Sequence, residues 1–588
     1  MSRESKAIPK MIGIENEYGC LIRSKLGNYY TDEGGAPFVW GFKPEWFSFA
    51  RSGAWDPTAR LRDSHMSDND AHEYFKDTRW QSLLNFLMPN GARFYLDMAH
   101  PEICIPICRN PLEALLHDRA CEWMMNFIRE KHYEVYGNEY RLFKNNTALG
   151  DELGGRRSID SGVSYSTHEN YLVSRGVSIK ELVAKELPFL VIRTVLTGAG
   201  KVWAQNGQPH ADYQLSQRSD FFGHTIGLHT TGTSRPIKNF RDHPYADHTR
   251  FRRVHVIPGD GNMCEMAEFL KLGLTSIMFM MIEDGFLDDR FSLVNPVSDF
   301  HQISRDIYFR EKIHLSEGVS KRPIDLMKEY ADLMWEYFET FGIRDEILRM
   351  AVTEARRLLG LLDSHMEDCF GELDHVTKRM LIEGAIEKGR VSSWRDAKAK
   401  MMDVQYANIN PTEGLFYRPK TYARMKKLLT EVEVERAVFS PPPTRSRFQV
   451  EVNKRFGVVS WDWQKTFIAM RDRRELFVVC TDDPSIHWEK LEGLLCDDRE
   501  EFFNRCTEAG MTSPNFFPAN ISDSYRFVDT EASEFSTSTE QGGDSLKCLK
   551  KMREIEGDEE FLHKKWLEEL RKFLEQKKGF LTEREDEE

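Results

Sequence analysis

The chain has 588 residues, 40% of them hydrophobic, and a formal net charge of −14. That length exceeds what one ordinary core organises, so two or three domains are expected. The acidic balance argues against a protein that holds nucleic acid by neutralising phosphates, though not against a local basic groove for an acidic partner.

The opening residues, MSRESKAIPK, are polar and contain no apolar stretch of the kind found in a secretory signal. The longest apolar run, near Leu272 to Ile282, is too short and interrupted to span a bilayer. The 10 cysteines include no CxxC pair. Cys104 and Cys108, four apart, read as small buried hydrophobes before they read as ligands. A reducing cytoplasm is the expected compartment.

Residues 11–480 alternate strand-like and helix-like stretches, which predicts a mixed α and β architecture. The first strand, in MIGIENEYG, puts Glu15 and Glu17 on one face and Ile12, Ile14 and Asn16 on the other. Two carboxylates side by side repel unless a hard cation such as Mg²⁺ lies between them; the blander reading is an exposed edge. Residues 22–88, rich in Gly, Asp and aromatics, read as a long insertion. GARFYLDMAHPE then aligns Arg93, Tyr95 and Asp97 on one face and Phe94 and Leu96 on the other, with Glu102 after a His-Pro break. An aspartate held off the metal suits a general base or nucleophile.

A second Gly-rich loop covers 148–163. In STHENYLVSR, His168 and Asn170 share a strand face; in RRVHVI, Arg253 and His255 do. Arginine suits a phosphate and neutral histidine a metal. No P-loop or GxGxxG is present, so a nucleotide site here is of another type. Jointly these polar strand faces suggest a sheet that cups a Mg-nucleotide. Residues 323–403 read as helices, SPPPTRSR at 440–447 as a break, 530–545 as a linker, and 558–581 as an amphipathic helix.

The motifs IGIENEYG, NGARFYLDMAHPE, FKNN, STHENYL, QLSQRSD, RFRRVHVIPGD, ELDHVTKRMLIEG, DVQYANINPTEGLFYRP, PPPTRSRFQVEVNKRFG and SWD resemble, in order, one family. It comprises the ligase of the prokaryotic ubiquitin-like protein Pup and its sister, a Pup deamidase and depupylase. The resemblance implies an α+β fold: a glutamine-synthetase-like curved antiparallel sheet cradle packed with helices, a small C-terminal domain and a helical tail. The boundaries expected are 1–435 for the catalytic domain, 436–490 for the small domain and 491–588 for the tail.

By the same resemblance ATP and Mg²⁺ are the cofactors, and a Pup-like tag with its tagged proteins the partners. Asp97 matches the essential aspartate. Glu15, Tyr95, Glu102, His168 and His255 match metal positions, with Glu17 beside them. Gly13, Arg93, Asn170, Arg253 and Trp461 match the nucleotide site, and Arg218 and Arg241 look like phosphate or substrate contacts. The Asp97–Glu102 spacing, the QLSQRSD wording and the AWDPTARLRDS loop lean toward the hydrolase. A ligase, a non-enzymatic tag binder and a small-molecule carboxylate–amine ligase are the rivals. The chain departs from the family in FRDHPYAD, where His243 and Tyr245 stand at positions that usually hold Glu and His, in a longer loop after FKNN, and in its tail.

Overall fold

The computed structural model describes residues 3–23, 29–30, 38–39, 42, 85–97, 100–147, 164–227, 234–239, 244–461, 463–469 and 476–512. Most of the 22–88 insertion, Arg241, His243, the 530–545 linker and the 558–581 segment lie outside them.

The strands of the main sheet are β1 (Ile12–Glu17), β2 (Asn85–Leu87), β3 (Arg93–Asp97), β4 (His100–Cys104), β5 (Thr167–Ser174), β6 (Phe222–Gly227), β7 (Arg235–Asn239) and β8 (Phe251–Val256). They lie in the order β6-β7-β8-β5-β1-β4-β3-β2. The pairings are antiparallel except β6–β7, which is parallel and lies at one edge. The expected α+β class holds, with one mixed edge in place of a wholly antiparallel sheet.

One face of this sheet is the core side. Ile12, Ile14, Phe94, Ile103, Val254 and Val256 are buried there with helices α1 (Pro111–Tyr136) and α2 (Glu265–Glu283). Each such side chain contributes roughly 1.5–3 kcal/mol by leaving water. α1 starts where Asn110 caps the Glu113 N–H and Pro111 presets the first turn; it ends at Gly137 with φ 70. α2 is the longest apolar run of the sequence, and it is a core helix. No helix among the described residues is long and apolar enough to cross a membrane.

Helices α3 (Pro323–Phe341) and α4 (Glu346–Ser364) fall inside the stretch read as helical. α2 and α4 meet closely at Gly273, where an added Cβ would come within 2.8 Å of the Ala351 Cβ. A second, smaller core follows the SPPPTRSR break. It gathers α5 (Arg445–Phe456), the three-stranded sheet β9 (Val458–Trp461), β10 (Lys465–Ala469) and β11 (Leu476–Cys480), and α6 (Arg499–Glu508). Phe448, Trp461, Ile468, Val479, Leu491 and Phe502 fill it, joined by Leu87 from the edge strand β2.

Candidate active site

The face of the main sheet opposite the core carries the polar residues. In an antiparallel ladder, directly opposed residues point the same way. Glu15 lies opposite His168 on β5 and Cys104 on β4, and Glu17 lies opposite Glu102. Asn170 is opposite Gly13 and, on its other side, His255. Tyr95 is opposite Glu102. Five neighbouring strands thus bring one row of polar side chains from each onto a single surface.

Glu15, His168 and His255 offer ligand atoms that all lie within 4.8 Å of one another. Glu15 Oε2 is 3.2 Å from His255 Nε2 and 3.5 Å from His168 Nδ1. Its Oε1 accepts from Asn170 Nδ2 at 3.1 Å and from Arg253 at 3.2 Å. His255 Nδ1 lies 3.2 Å from Asn239 Oδ1, an acceptor, so the proton belongs on Nδ1 and the Nε2 lone pair faces Glu15. The Nε2 atoms of both histidines are buried without a hydrogen-bond partner among the described residues. Burial pushes His255 down to about 3 and also lowers His168, so both imidazoles are neutral, as a metal requires. Burial alone would raise Glu15, but its hydrogen bonds and the Arg253 guanidinium outweigh it and hold the carboxyl well below its usual range.

Glu17, Asp97 and Glu102 form a second group with the same spacing. The Tyr95 hydroxyl donates to Glu102 Oε1. Burial and then the Asp97 charge push Glu17 up to about 8, and burial with Asp97, Glu17 and Glu15 raises Glu102 well above normal. Carboxylates so crowded fit a hard divalent cation, which replaces their mutual repulsion with shared attraction. Glu17 and Glu102 are buried, whereas Asp97, at the end of β3, is half-buried and open to an incoming group.

Beside the first group opens a cleft lined among others by Gly13, Glu15, Asn170, Arg253, Tyr245 and Trp463. At Gly13 an added Cβ would meet only Asn170, at 3.5 Å, an ordinary contact. The glycine therefore relieves no crowding within the protein; its missing side chain leaves room in the cleft.

The remaining expected residues are placed as follows. Arg93 is buried with its guanidinium 4.3 Å from the Tyr95 ring centroid. Arg218 is buried and donates to Ser164 Oγ and to the carbonyls of Thr167, Ile257 and Gly259, which leaves only Nη2 without a hydrogen-bond partner among the described residues. Trp461 is buried in the second core, edge-on to Trp463, and it is Trp463 that reaches the cleft. The reading of the sequence missed Trp463 and Asn239; Asn239 had no signal, because its strand reaches His255 only through folding. Cys104, read as a small buried side chain, is buried.

The family model described as Pup-ligase protein matches residues 10–467. A depupylase of Acidothermus cellulolyticus is 34% identical over 508 residues, 81% of this chain and 94% of that protein. A Pup deamidase/depupylase of Mycolicibacterium smegmatis is 35% identical over 384 residues, 64% of this chain and 74% of that protein. Among solved structures, the Pup ligase PafA in complex with ADP superposes with a TM-score of 0.61 and 27% identity, covering 75% of this chain and 94% of that one. The ordered motifs, the sheet that carries them and these matches agree: the chain belongs to the Pup-ligase protein family.

Proposed function

We propose that this protein is a Mg-ATP-dependent hydrolase of a Pup-like tag, which deamidates the tag's C-terminal Gln, cleaves the bond between that side chain and a substrate lysine, or both. The observation that carries the reading is the pair of ligand groups on one sheet face, with Asp97 at the open end of the second. Depupylases at 34% and 35% identity stand above a Pup–protein ligase at 31%, which supports hydrolysis. The same reading makes the protein cytoplasmic.

In this proposal Glu15, His168 and His255 hold one cation, and Glu17 and Glu102, oriented by Tyr95, hold its neighbour. Gly13, Asn170 and Arg253 line the nucleotide cleft, Arg93 borders it, and Trp461 backs Trp463. Arg218, through its remaining Nη2, and Arg241 contact phosphate or substrate. Bound Mg²⁺ and nucleotide supply the charge that positions and polarises a γ-carbonyl. The Asp97 carboxylate attacks that carbonyl, or takes a proton from the water that does. The C–N bond breaks and the nitrogen leaves, protonated, as ammonia or a lysine amine; where Asp97 is the nucleophile, water then cleaves the Asp97–tag anhydride, so that by either route Asp97 is restored and the tag keeps a γ-carboxylate.

The family's ligase members favour a second reading, in which the same face joins tag to lysine at the cost of ATP. A paired assay separates them, with a Gln-ended tag and a tag–lysine conjugate given to wild type and Asp97→Asn. Ammonia or free tag released by wild type, with at least ~10³-fold less from the variant and no matching ATP consumption, is the expected result. Conjugate formed in step with ATP consumed makes the protein a ligase.

A further inference from the structure

FKNN is a motif that neither ligand group uses, yet two of its residues reach the strands that carry the ligands. Lys144 Nζ donates to Asp118 Oδ2 of α1 at 2.6 Å. Asp118 Oδ1 accepts from Asn16 Nδ2 at 2.6 Å, and Asn16 Oδ1 accepts from the Thr167 hydroxyl at 2.6 Å. Asn145 Oδ1 accepts from the Ser166 hydroxyl at 2.7 Å and from the Gly261 N–H at 2.9 Å. The Ser166 carbonyl in turn accepts the Glu17 N–H at 2.9 Å. All six of Lys144, Asn145, Asp118, Asn16, Ser166 and Thr167 are buried.

Both branches end at one place. Asn16 stands between Glu15 and Glu17 on β1, and Thr167, its opposite on β5, immediately precedes His168. Glu15 and His168 belong to the first ligand group and Glu17 to the second. The branches therefore grip the sheet from its core side where the two groups adjoin. The first branch also has a direction. Asp118 faces two cations, Lys144 and, at 3.2 Å, Arg119, so its carboxylate only accepts. It selects the nitrogen end of the Asn16 amide, which turns the oxygen end to the Thr167 hydroxyl.

We propose that Lys144 and Asn145 are positioning residues for the two ligand groups. By way of Asp118, Asn16 and Thr167 on one branch and Ser166 on the other, they lock β1 against β5 where Glu15, Glu17 and His168 meet. The inference rests on the cation reading above and adds to it what holds the ligands in place. A buried ion pair is often no more stabilising than apolar residues of the same volume, so stability alone does not account for this one; what it adds is a fixed orientation. Groups behind a metal ligand act in this way, by setting the ligand's position before the ion arrives.

The test reads cation binding, not turnover. Mn²⁺, a paramagnetic stand-in for Mg²⁺, is titrated into the full chain and followed by electron paramagnetic resonance, which separates bound from free ion; melting in chelator confirms that each variant is folded. Thr167→Val removes the hydroxyl and nearly keeps the shape, and Thr167→Ser retains the hydroxyl. Tyr171→Phe is the control, since it removes one buried hydroxyl bond, to Glu169 at 2.7 Å, from the same strand and the same face. Thr167→Val and Asn145→Ala, one on each branch, are expected to weaken Mn²⁺ binding about tenfold or more, with Thr167→Ser and Tyr171→Phe within about twofold of wild type. Undiminished binding in Thr167→Val or Asn145→Ala overturns the inference. So does an equal loss in Tyr171→Phe, which would mean that any loosening of the sheet disturbs the ions, or a loss in Thr167→Ser as large as in Thr167→Val. Should Thr167→Val fail to fold, Asn145→Ala against Tyr171→Phe decides in the same way. If wild type binds no Mn²⁺, the cation reading itself falls and this inference with it; if wild type and variants bind alike, this inference alone falls.

Discussion

The two faces of the main sheet bury charge equally deeply and treat it differently. On the core face, Glu169 takes two hydrogen bonds from Arg193, at 2.6 and 2.8 Å. Lys144 of the FKNN motif donates to Asp118 at 2.6 Å and to Glu122 at 2.8 Å, and Asp118 accepts from Asn16 at 2.6 Å. Each of these charges meets its opposite within the protein. On the other face Glu17, Asp97 and Glu102 crowd together, and two histidine nitrogens are buried without hydrogen bonds among the described residues. Burying a charge is tolerable only when it is paired. One face therefore completes itself by folding; in the proposed function the other is completed by what it binds.

Substitutions on the two faces should accordingly fail in different ways. Glu17→Gln is expected to cut activity about 10²-fold or more, while raising the metal-free melting temperature, because it relieves carboxylate crowding. The rise is read by calorimetry in chelator, and an unchanged or lowered metal-free melting temperature would mean the carboxylates are not in conflict. Glu169→Ala should do the reverse. It strands Arg193 in the core and should lower stability by about 3–5 kcal/mol, with urea midpoints falling whether or not Mg²⁺ is added.

Counted per residue and per pH unit, the smallest effect concerns acid. Burial pushes His117 and His375 down to about 3 and His132 to about 4. A group whose folded pKa lies below its unfolded value of about 6.5 gives stability that is intact above that pH and is lost as pH falls toward the folded value. Stability should therefore decline from about pH 6.5 to 4, by at most ~1.4 kcal/mol per pH unit for each histidine. His375→Gln should make the slope of melting temperature against pH shallower; an unchanged slope would assign the acid loss elsewhere.

Much of this organisation follows from alternation. The period-two pattern in IGIENE, RFYLD, THENYLVS and FRRVHV assigned Glu15, Glu17, Tyr95, Asp97, His168, Asn170, Arg253 and His255 to polar strand faces, and the register sets them on one surface. Trp461 shows the limit. Its motif pointed to the cleft, yet β9 turns it into the small core, and the neighbour two residues on reaches the ligand space. The pattern of a single strand specifies which side chains share a face, but not which face meets a cavity.

The local chemistry of the chain therefore settled the element types, the caps and the polar or apolar character of each strand face, because these depend on neighbours within a few residues. Strand order, the grouping of candidate ligands into two sets, and the lining of one cleft by Tyr245 and Trp463 from two cores came from contacts between residues far apart in sequence. They are decided by how buried surfaces and charges find partners in three dimensions, which no local pattern encodes.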